Sequence, residues 1–364
     1  MSGMPWLLPL LGVLVVVGLA WAGWRRARPR GAPARGGGRR RAGAGFPPDP
    51  TITAASTLRR DGLRRLHGLP FGAAGEAATA TGSAHAAVVA RTVEALQKVG
   101  SDIRSTPRRP GLLPQLTRTV NDPHASGMAI AGIVAQDPTL AARLLKIANS
   151  ALYRVQSRPV ESLERAVASV GTDGIRRLVA AALVQPVMGA PGEGVFGELA
   201  RQVWTHTELS SAAAAEHARR GGGADAFTVQ LAGLMVGLGS AVVVRSVREQ
   251  YLRRPALVPD AEVTFALLDG WSVPVARRIA RQWELSDPLG SVLDALQEPG
   301  SAATGARSLR FGSAAASMAM LCRAGGLSAD EALARLAGIE ADAEAVESVW
   351  RRLCRSLEEG GTPA

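Results

Sequence analysis

Apolar side chains recur every three or four residues through most of the chain from about residue 86 onward. The first apolar face carries Val88, Val89, Val93 and Leu96, and Gly100 follows it closely. This spacing is typical of amphipathic α-helices, whereas half-buried strands alternate with a period of two. No alternating run of useful length occurs, so the pattern predicts an all-α fold.

Several residues in the middle of the chain are predicted to begin and end helices. Asp137 can accept hydrogen bonds from the first turn of a helix, and Pro138 suits its first position. Asn149-Ser150 follows that helix, and we interpret Asn149 as a structural hydrogen-bonding residue that closes it. Gly171 is predicted to end the next helix in a left-handed conformation.

Longer helices are predicted in the second half of the chain. One runs from about Phe196 to Arg220, contains Trp204 and His206, and stops at a run of three glycines. The stretch QLAGLMVGLGS (230–240) follows, and its glycines are expected to allow two helices to approach closely at a tight bend. Further helices are expected at about 241–252, 260–268, 273–284, 288–296, 306–324, 329–337 and 342–358.

The amino-terminal segment predicts a membrane anchor. Residues 6–24 read WLLPLLGVLVVVGLAWAGW without a charge, which is just long enough to cross a bilayer core of ~30 Å. An arginine block follows and none precedes, so the positive-inside rule places the remainder of the chain in the cytoplasm. The alternative is a cleaved signal peptide ending near Ala20-Trp21-Ala22, but the positive charge lies on the wrong side of the apolar run.

Charge and composition change this picture mainly at residues 25–85. The net charge is +11, and eight arginines between Arg25 and Arg41 account for most of the excess. This Arg/Gly/Pro-rich segment predicts a mostly disordered linker, with one short helix around Leu58–Leu66. Its arginines suit anionic lipid of the inner leaflet. Nucleic-acid binding through them remains an alternative that the lack of interleaved aromatic residues disfavours.

Several kinds of chemistry lack support in the sequence. Cys322 and Cys354 are too few and too far apart for a disulfide framework or a zinc site, and we expect free, partly buried thiols. The glycines of GLMVGLG have neither the preceding strand nor the Lys-Ser/Thr pair of a phosphate loop. No serine lies in a G-x-S-x-G setting, so a serine hydrolase is not indicated.

The order of four motifs resembles the HDOD domain of bacterial signalling proteins. They are IVAQDPTLAARLLKIANSALY, SLERAVASVGTDGIRRLV, VWTHTELSSAAAAEHA and LAGLMVGLGSAVVV, and a later segment, GWSVPVARRIARQWELSDPLGSVLDAL, is similar to that family's later helices. The resemblance predicts an HDOD-like helical domain at 86–325. With the anchor at 1–24 and the linker at 25–85 that composition predicts, this leaves helices at 326–364 that pack on the domain or follow it. The signature residues that carry it are Asp137, Pro138, Asn149, Ser150, Gly171, Trp204, His206, Gly233 and Gly239.

HDOD domains resemble the HD phosphohydrolases in fold, and those enzymes hold divalent metal with a His, a His-Asp pair and a later Asp. The resemblance matches the first position to His206 and the His-Asp pair to Val236-Gly237, which have no donor side chains. Trp271 stands where a further histidine is expected, and the later segment offers Asp269, Asp287 and Asp294. The resemblance therefore implies no catalytic residues, no metal and no cofactor, and it leaves His206 as a structural residue.

The sequence as a whole predicts a single-pass protein of the bacterial inner membrane with a non-catalytic, cytoplasmic HDOD-like domain. The resemblance implies that this domain binds a partner protein or a nucleotide ligand in signalling. A metal-dependent phosphohydrolase with rearranged ligands is the alternative. The other histidines, His67, His85, His124 and His217, are expected at the surface or in the linker, and Arg277-Arg278 is expected to be solvated.

Overall fold

A computed structural model describes residues 50–75, 82–102, 106–107, 109–122, 124–149, 159–184, 193–221, 223–298 and 300–359. The described part is helical and contains no strand, which confirms the all-α prediction. Its α-helices are α1 (Pro50–Gly68), α2 (Gly82–Lys98), α3 (Leu113–Asn121), α4 (Gly127–Val134), α5 (Pro138–Ala148), α6 (Leu163–Val184), α7 (Gly194–Gly221), α8 (Ala226–Leu252), α9 (Ala261–Gln282), α10 (Asp287–Gln297), α11 (Thr304–Arg323), α12 (Ala329–Ala337) and α13 (Ala343–Glu359). A short 3₁₀ segment, Leu69–Gly75, follows α1.

The predicted boundaries of α5 are confirmed. The Asp137 side chain accepts hydrogen bonds from the backbone N–H groups of Thr139 and Leu140, and Pro138 occupies the first turn. At the other end the Asn149 amide donates to the Val160 carbonyl at 2.8 Å and accepts from the Val160 N–H at 2.6 Å. Asn149 thereby ties the end of α5 to the approach to α6.

Helix α8 lies at the centre of the larger of two hydrophobic cores. It packs between α7 and α9 and also contacts α2, α6 and α10. Its residues Leu234, Met235 and Leu238 are fully buried. This helix is the one described segment long and apolar enough to span a membrane, but most of it is buried inside the protein, as in the core helix of a folded domain. The predicted span at 6–24 lies outside the described residues.

A second hydrophobic core surrounds α11. Helix α11 packs against α7 on one side and against α1, α12 and α13 on the others. Phe311, Met318 and Leu321 of α11 and Trp350 of α13 are buried there. The carboxyl-terminal helices therefore continue the main body as a second layer over α7 and α11.

The predicted bend between two helices at 230–240 is wrong. Residues 226–252 form one continuous helix, because every backbone group in the glycine-rich stretch is at a helical position. The expected close helix approach is present nevertheless. A Cβ on Gly239 would lie 2.1 Å from the Ser272 carbonyl oxygen of α9, so only glycine permits this contact.

The predicted linker 25–85 is wrong for its second half. The short helix expected around Leu58–Leu66 extends over Pro50–Gly68 and packs on α9 and α11, with Leu63 and Leu66 buried. Its Gly62 is close to α11, since a Cβ there would lie 2.8 Å from the Met318 Cε. Helix α1 is thus part of the folded body, and residues 25–49 lie outside the described residues.

Two further boundaries differ from the predictions. Gly171 interrupts the helix at the predicted position but does not end it. Its φ of 69° is left-handed, whereas its ψ of 179° is extended, and the helix resumes directly after it. The helices expected at 260–268 and 273–284 form the single helix α9, with Pro274 inside. Pro274 has no backbone N–H to donate, so α9 continues through it with one helical hydrogen bond fewer, and its side chain is buried.

Candidate functional site

A cavity of about 410 Å³ lies where α1 crosses α7, α8, α9 and α11, and we call it the α1 cavity. It is lined by Thr53, Ser56, Thr57, Arg59, Arg60, Leu63, His67, His206, Thr207, Ser210, Gly233, Val236, Gly237, Ser240, Phe265, Leu268, Asp269, Ser272, Val273, Leu296, Gln297, Glu298, Gly300, Leu309, Arg310 and Ser313. The cavity therefore gathers His206, Val236, Gly237 and Asp269, which the resemblance singled out, with residues of α1 that it did not.

His206 of α7 is buried and bonded to protein, as expected for a structural residue. Its Nε2–H donates to the Ser313 carbonyl at 3.1 Å, and the Ser317 hydroxyl lies 3.2 Å from the same nitrogen. Burial lowers the pKa of His206 to about 4, against the opposing effect of its bond to Ser313, so the ring is neutral near pH 7.

His67 of α1 is the partner that the sequence did not reveal, because we expected it at the surface or in the linker. It is buried, and its ring meets the His206 ring edge to face with centroids 6.4 Å apart. Burial, followed by the nearby His206 and Arg59, lowers the pKa of His67 to about 3. Its Nδ1 has no hydrogen-bond partner among the described residues.

The backbone of α8 comes so close to α7 at Gly237 that no side chain fits there. A Cβ on Gly237 would lie 2.1 Å from the Cγ2 and 2.2 Å from the Oγ1 of Thr207. Gly233, one turn earlier, is packed similarly, since a Cβ there would lie 2.9 Å from the Ser211 Cβ. The small residues of α8 thus serve helix packing, as predicted for Gly237 and Gly239.

Asp269 of α9 faces two arginines of α1. Its Oδ2 lies 3.0 Å from the Nε of Arg60, and its Oδ1 lies 3.5 Å from an Nη of Arg59. The carboxylate is only one-fifth exposed. Two guanidinium groups therefore neutralise an acid that lines the cavity together with the two histidines.

These residues do not fit a divalent metal. The His206 Nε2 already donates to a carbonyl, position 237 has no room for a ligand, and Asp269 is paired with arginine. Among the described residues no three His, Cys, Asp or Glu side chains converge as a metal site. Of the other candidate acids, Asp294 pairs with Arg277 through two hydrogen bonds of 2.9 Å, and Asp287 lies in the first turn of α10.

The assignment of this chain to a family rests on its central part. A family model for the HDOD domain matches residues 106–299, more than half of the chain. The chain belongs to the HDOD family. The matched segment lies within the domain predicted at 86–325, and it omits α1 and the helices after α10. The α1 cavity is therefore built partly from the HDOD segment and partly from helices outside it.

Three solved structures share the fold of this chain. A "putative metal-dependent phosphohydrolase" from Shewanella amazonensis SB2B is 22% identical, with 74% of this chain and 99% of that chain covered and a TM-score of 0.50. A "putative phosphohydrolase" from the same organism is 22% identical, with 73% and 96% covered and a TM-score of 0.52. An HDOD domain protein of unknown function from Geobacter sulfurreducens is 21% identical, with 76% and 91% covered and a TM-score of 0.50. No curated protein matches the chain.

The signature residue Trp204 lies away from the α1 cavity. It is half-buried on the wall of an open groove of about 760 Å³ between α5, α7, α11 and α13, together with Lys146 and Glu208. Burial raises the pKa of Glu208 to about 7, although Lys146 opposes this effect. Trp204 and His206 are thus two residues apart in sequence but face different sides of α7. Ser150 lies outside the described residues of the HDOD domain.

The surface prediction for the remaining histidines is confirmed for His124 and wrong for His85 and His217. His85 Nδ1 lies 3.0 Å from the Tyr251 hydroxyl in the core. His217 donates from Nε2 to Glu340 at 2.8 Å and accepts at Nδ1 from Ser308 at 2.9 Å. The expectation failed because each polar partner lies far away in sequence.

The Ser308-His217-Glu340 network has the composition of a hydrolase triad but not its geometry. Ser308 has no exposed surface, and it bonds to the histidine nitrogen that a triad keeps for the acid. Arg307 adds a bond of 2.7 Å to Glu340. The network therefore holds the segment after α12 against α7 and α11.

The expectation of solvated Arg277 and Arg278 is wrong as well. Arg277 pairs with Asp294, and Arg278 donates to the Leu96 carbonyl at 2.7 Å while its guanidinium lies 5.7 Å from the centre of the Trp271 ring. These contacts hold α9 against α10 and α2. The free, half-buried state of Cys322 and Cys354 is as expected.

Proposed function

We propose that this HDOD protein is a non-catalytic signalling or scaffold protein of the bacterial inner membrane. Residues 6–24 anchor it, the arginines from Arg25 to Arg41 lie on anionic lipid, and the HDOD domain faces the cytoplasm. The domain binds a partner protein or a nucleotide ligand. Anchoring confines this binding to the membrane surface.

The close contact between Gly237 and Thr207 is the main observation behind the proposal that the domain does not hydrolyse phosphoesters. A hydrolytic metal site needs several fixed donors, and the metal must lower the pKa of a bound water. The packing of Thr207 against Gly237 excludes a carboxylate from this position without a rearrangement of two core helices. The paired state of Asp269 supports the same conclusion, because its charge is already neutralised.

A hydrolysis assay tests this part of the proposal. The full-length protein is incubated with bis(p-nitrophenyl) phosphate and a nucleoside monophosphate in the presence of Mn²⁺ or Mg²⁺. We expect no product above the level without protein. Turnover that is lost in His206→Ala and kept in His124→Ala would overturn the proposal, because His206 lines the cavity and the exposed His124 does not.

Recovery of a partner tests the scaffold role. The tagged full-length protein is solubilised from membranes, cross-linked and purified beside a tagged unrelated membrane protein. We expect at least one protein that is enriched with this chain alone and that binds it again when both are purified. Failure to recover any specific partner or nucleotide would count against the proposal.

A metal-dependent phosphohydrolase is the second candidate function. Two structural neighbours that are named as phosphohydrolases favour it, as does the presence of His67, His206 and Asp269 around one cavity. Metal analysis of the purified protein discriminates between the two. A stoichiometric divalent ion, retained through gel filtration and lost in His206→Ala, would support the hydrolase and overturn the non-catalytic proposal.

A further inference from the structure

Arg59 has hydrogen-bonding capacity that the described residues do not use. A guanidinium carries five N–H donors. Within the described residues Arg59 makes no hydrogen bond, and its one ion pair, with Asp269, spans 3.5 Å. Its side chain is about one-quarter exposed and lines the α1 cavity. Such a group is expected to take an acceptor from a ligand.

His67 supplies a second unused polar group in the same cavity. Its Nδ1 is buried and has no partner in the described part of the chain, which costs free energy unless a ligand or water satisfies it. Arg59 and His67 are two turns apart on α1, on the face that covers the cavity. Both unsatisfied groups therefore come from the helix that lies outside the HDOD segment.

The fixed charges around the cavity favour an anion. The cavity is lined by three arginines, Arg59, Arg60 and Arg310, and by two acids, Asp269 and Glu298, while His67 and His206 are neutral near pH 7. Arg310 is almost fully buried and donates to the carbonyls of Ala295, Glu298 and Ser301. This arrangement leaves one more positive than negative charge at the cavity wall.

The shape of the cavity leaves space for an organic group beside the anion. Small residues such as Gly233, Gly237 and Ser240 form its floor, while Leu63, Phe265 and Leu309 provide apolar wall. Its volume of about 410 Å³ falls within the range of roughly 300–1,000 Å³ that is usual for small-molecule sites. A bare inorganic ion would leave much of this space unfilled.

We propose that the α1 cavity binds a small phosphate monoester of nucleotide size, with the phosphate on Arg59 and Arg60 and the organic group on the apolar wall. A dianionic phosphate competes with the Asp269 carboxylate for the two guanidiniums better than another carboxylate would, because it carries more charge and three acceptor oxygens. Arginine neutralises the phosphate but delivers no metal-bound hydroxide, so the ester stays intact. The inference deepens the proposed function, on which it rests, by naming the class of ligand.

Calorimetric titration of the full-length protein tests the site. GMP, AMP, inorganic phosphate and the two nucleosides without phosphate are titrated at pH 7.5 in EDTA, which removes metal bridges. We expect the monophosphates to bind, inorganic phosphate to bind more weakly and the nucleosides not to bind. Affinity should fall as salt concentration rises, since exposed charge pairs are screened.

Two variants and one control identify the residues. Arg59→Ala should weaken monophosphate binding about tenfold or more, as expected for the loss of charge-assisted hydrogen bonds. Asp269→Asn should tighten binding several-fold, because it removes the carboxylate that competes for the arginines. Arg64→Ala is the matched control: Arg64 is on the same helix and pairs with Glu262 at 2.8 Å, but it lies outside the cavity.

The outcomes separate this inference from the proposed function. Absence of monophosphate binding, or equal affinity in wild type and Arg59→Ala, would overturn the site and leave the scaffold role standing. Weaker binding in Asp269→Asn would also overturn it, since a merely structural ion pair predicts a loss. Release of inorganic phosphate, followed by ³¹P NMR, would instead overturn the non-catalytic function while the binding site remained.

Discussion

The ring of His67 on α1 packs edge to face against the ring of His206 on α7, with 6.4 Å between their centroids. One histidine comes from the HDOD segment and the other from a helix that precedes it. Both histidines line the α1 cavity. Because both rings are buried and neutral, the contact makes the stability of the protein sensitive to pH.

Stability should fall as the pH drops below about 6.5. The pKa values of His67 and His206 in the folded protein are about 3 and about 4, below the value of 6.5 in an unfolded chain. Between these values the unfolded chain binds protons that the folded protein does not, so acid favours unfolding. Each histidine should cost roughly 1 kcal/mol at pH 5.5 relative to pH 8.

Urea denaturation at pH 8, 6.5, 5.5 and 4.5 measures this effect. His67→Gln should flatten the dependence between pH 6.5 and 4.5, because one titrating group is removed. Substitution of the exposed His124 by Gln is the control and should leave the curve unchanged. Equal slopes for the wild type and His67→Gln would contradict the assignment.

Gly237→Ala should strongly destabilise the protein. The new Cβ would overlap Thr207, so α7 and α8 must separate, which costs about 1–3 kcal/mol or more. Gly270→Ala on α9 is a matched control, because its Cβ meets nothing within 4 Å, and it should be neutral or slightly stabilising. Thermal melts of both variants test the prediction, and partial rescue of Gly237→Ala by Thr207→Gly would identify the contact.

Glu340→Ala should destabilise the packing of the carboxyl-terminal helices α12 and α13 against α7 and α11. It leaves the His217 Nε2–H and Arg307 without their buried acceptor, which costs about 3 kcal/mol. Amide hydrogen exchange in α12 and α13 should accelerate, whereas Glu347→Ala, an exposed pair with Arg351, should have no such effect. Unchanged exchange in Glu340→Ala would show that the network does not hold this layer.

Deletion of residues 2–24 should release the protein from membranes. The segment 6–24 is uncharged and long enough to span, and the arginines that follow should contribute only a weak, salt-sensitive attraction to anionic lipid. Carbonate extraction and fractionation should recover the full-length chain with the membrane and the deletion variant in the soluble fraction. Cofractionation of the deletion variant with the membrane after a high-salt wash would count against the anchor.

The sequence by itself determined the elements whose signals are local. Asp137 and Pro138 begin α5 because capping and the fixed φ of proline act within one helical turn. Gly171 interrupts its helix for a similar reason, and the all-α class follows from the periodicity of apolar residues. The described parts of the motifs that indicated the HDOD family also lie within single helices or pairs of adjacent helices.

Only the tertiary structure decided what those helices bring together. The glycines at 237 and 239 suggested a bend, yet α8 is continuous through them, since packing against Thr207 and Ser272 outweighs the low helix propensity of glycine. The apolar residues of 50–68 have a weak helical periodicity, so the sequence did not predict the full length of α1. The helices that it packs against, α9 and α11, lie some 200 residues away in the sequence. Burial of His67 and the pairing of Arg59 with Asp269 depend on that long-range docking, so no local pattern could have predicted the α1 cavity.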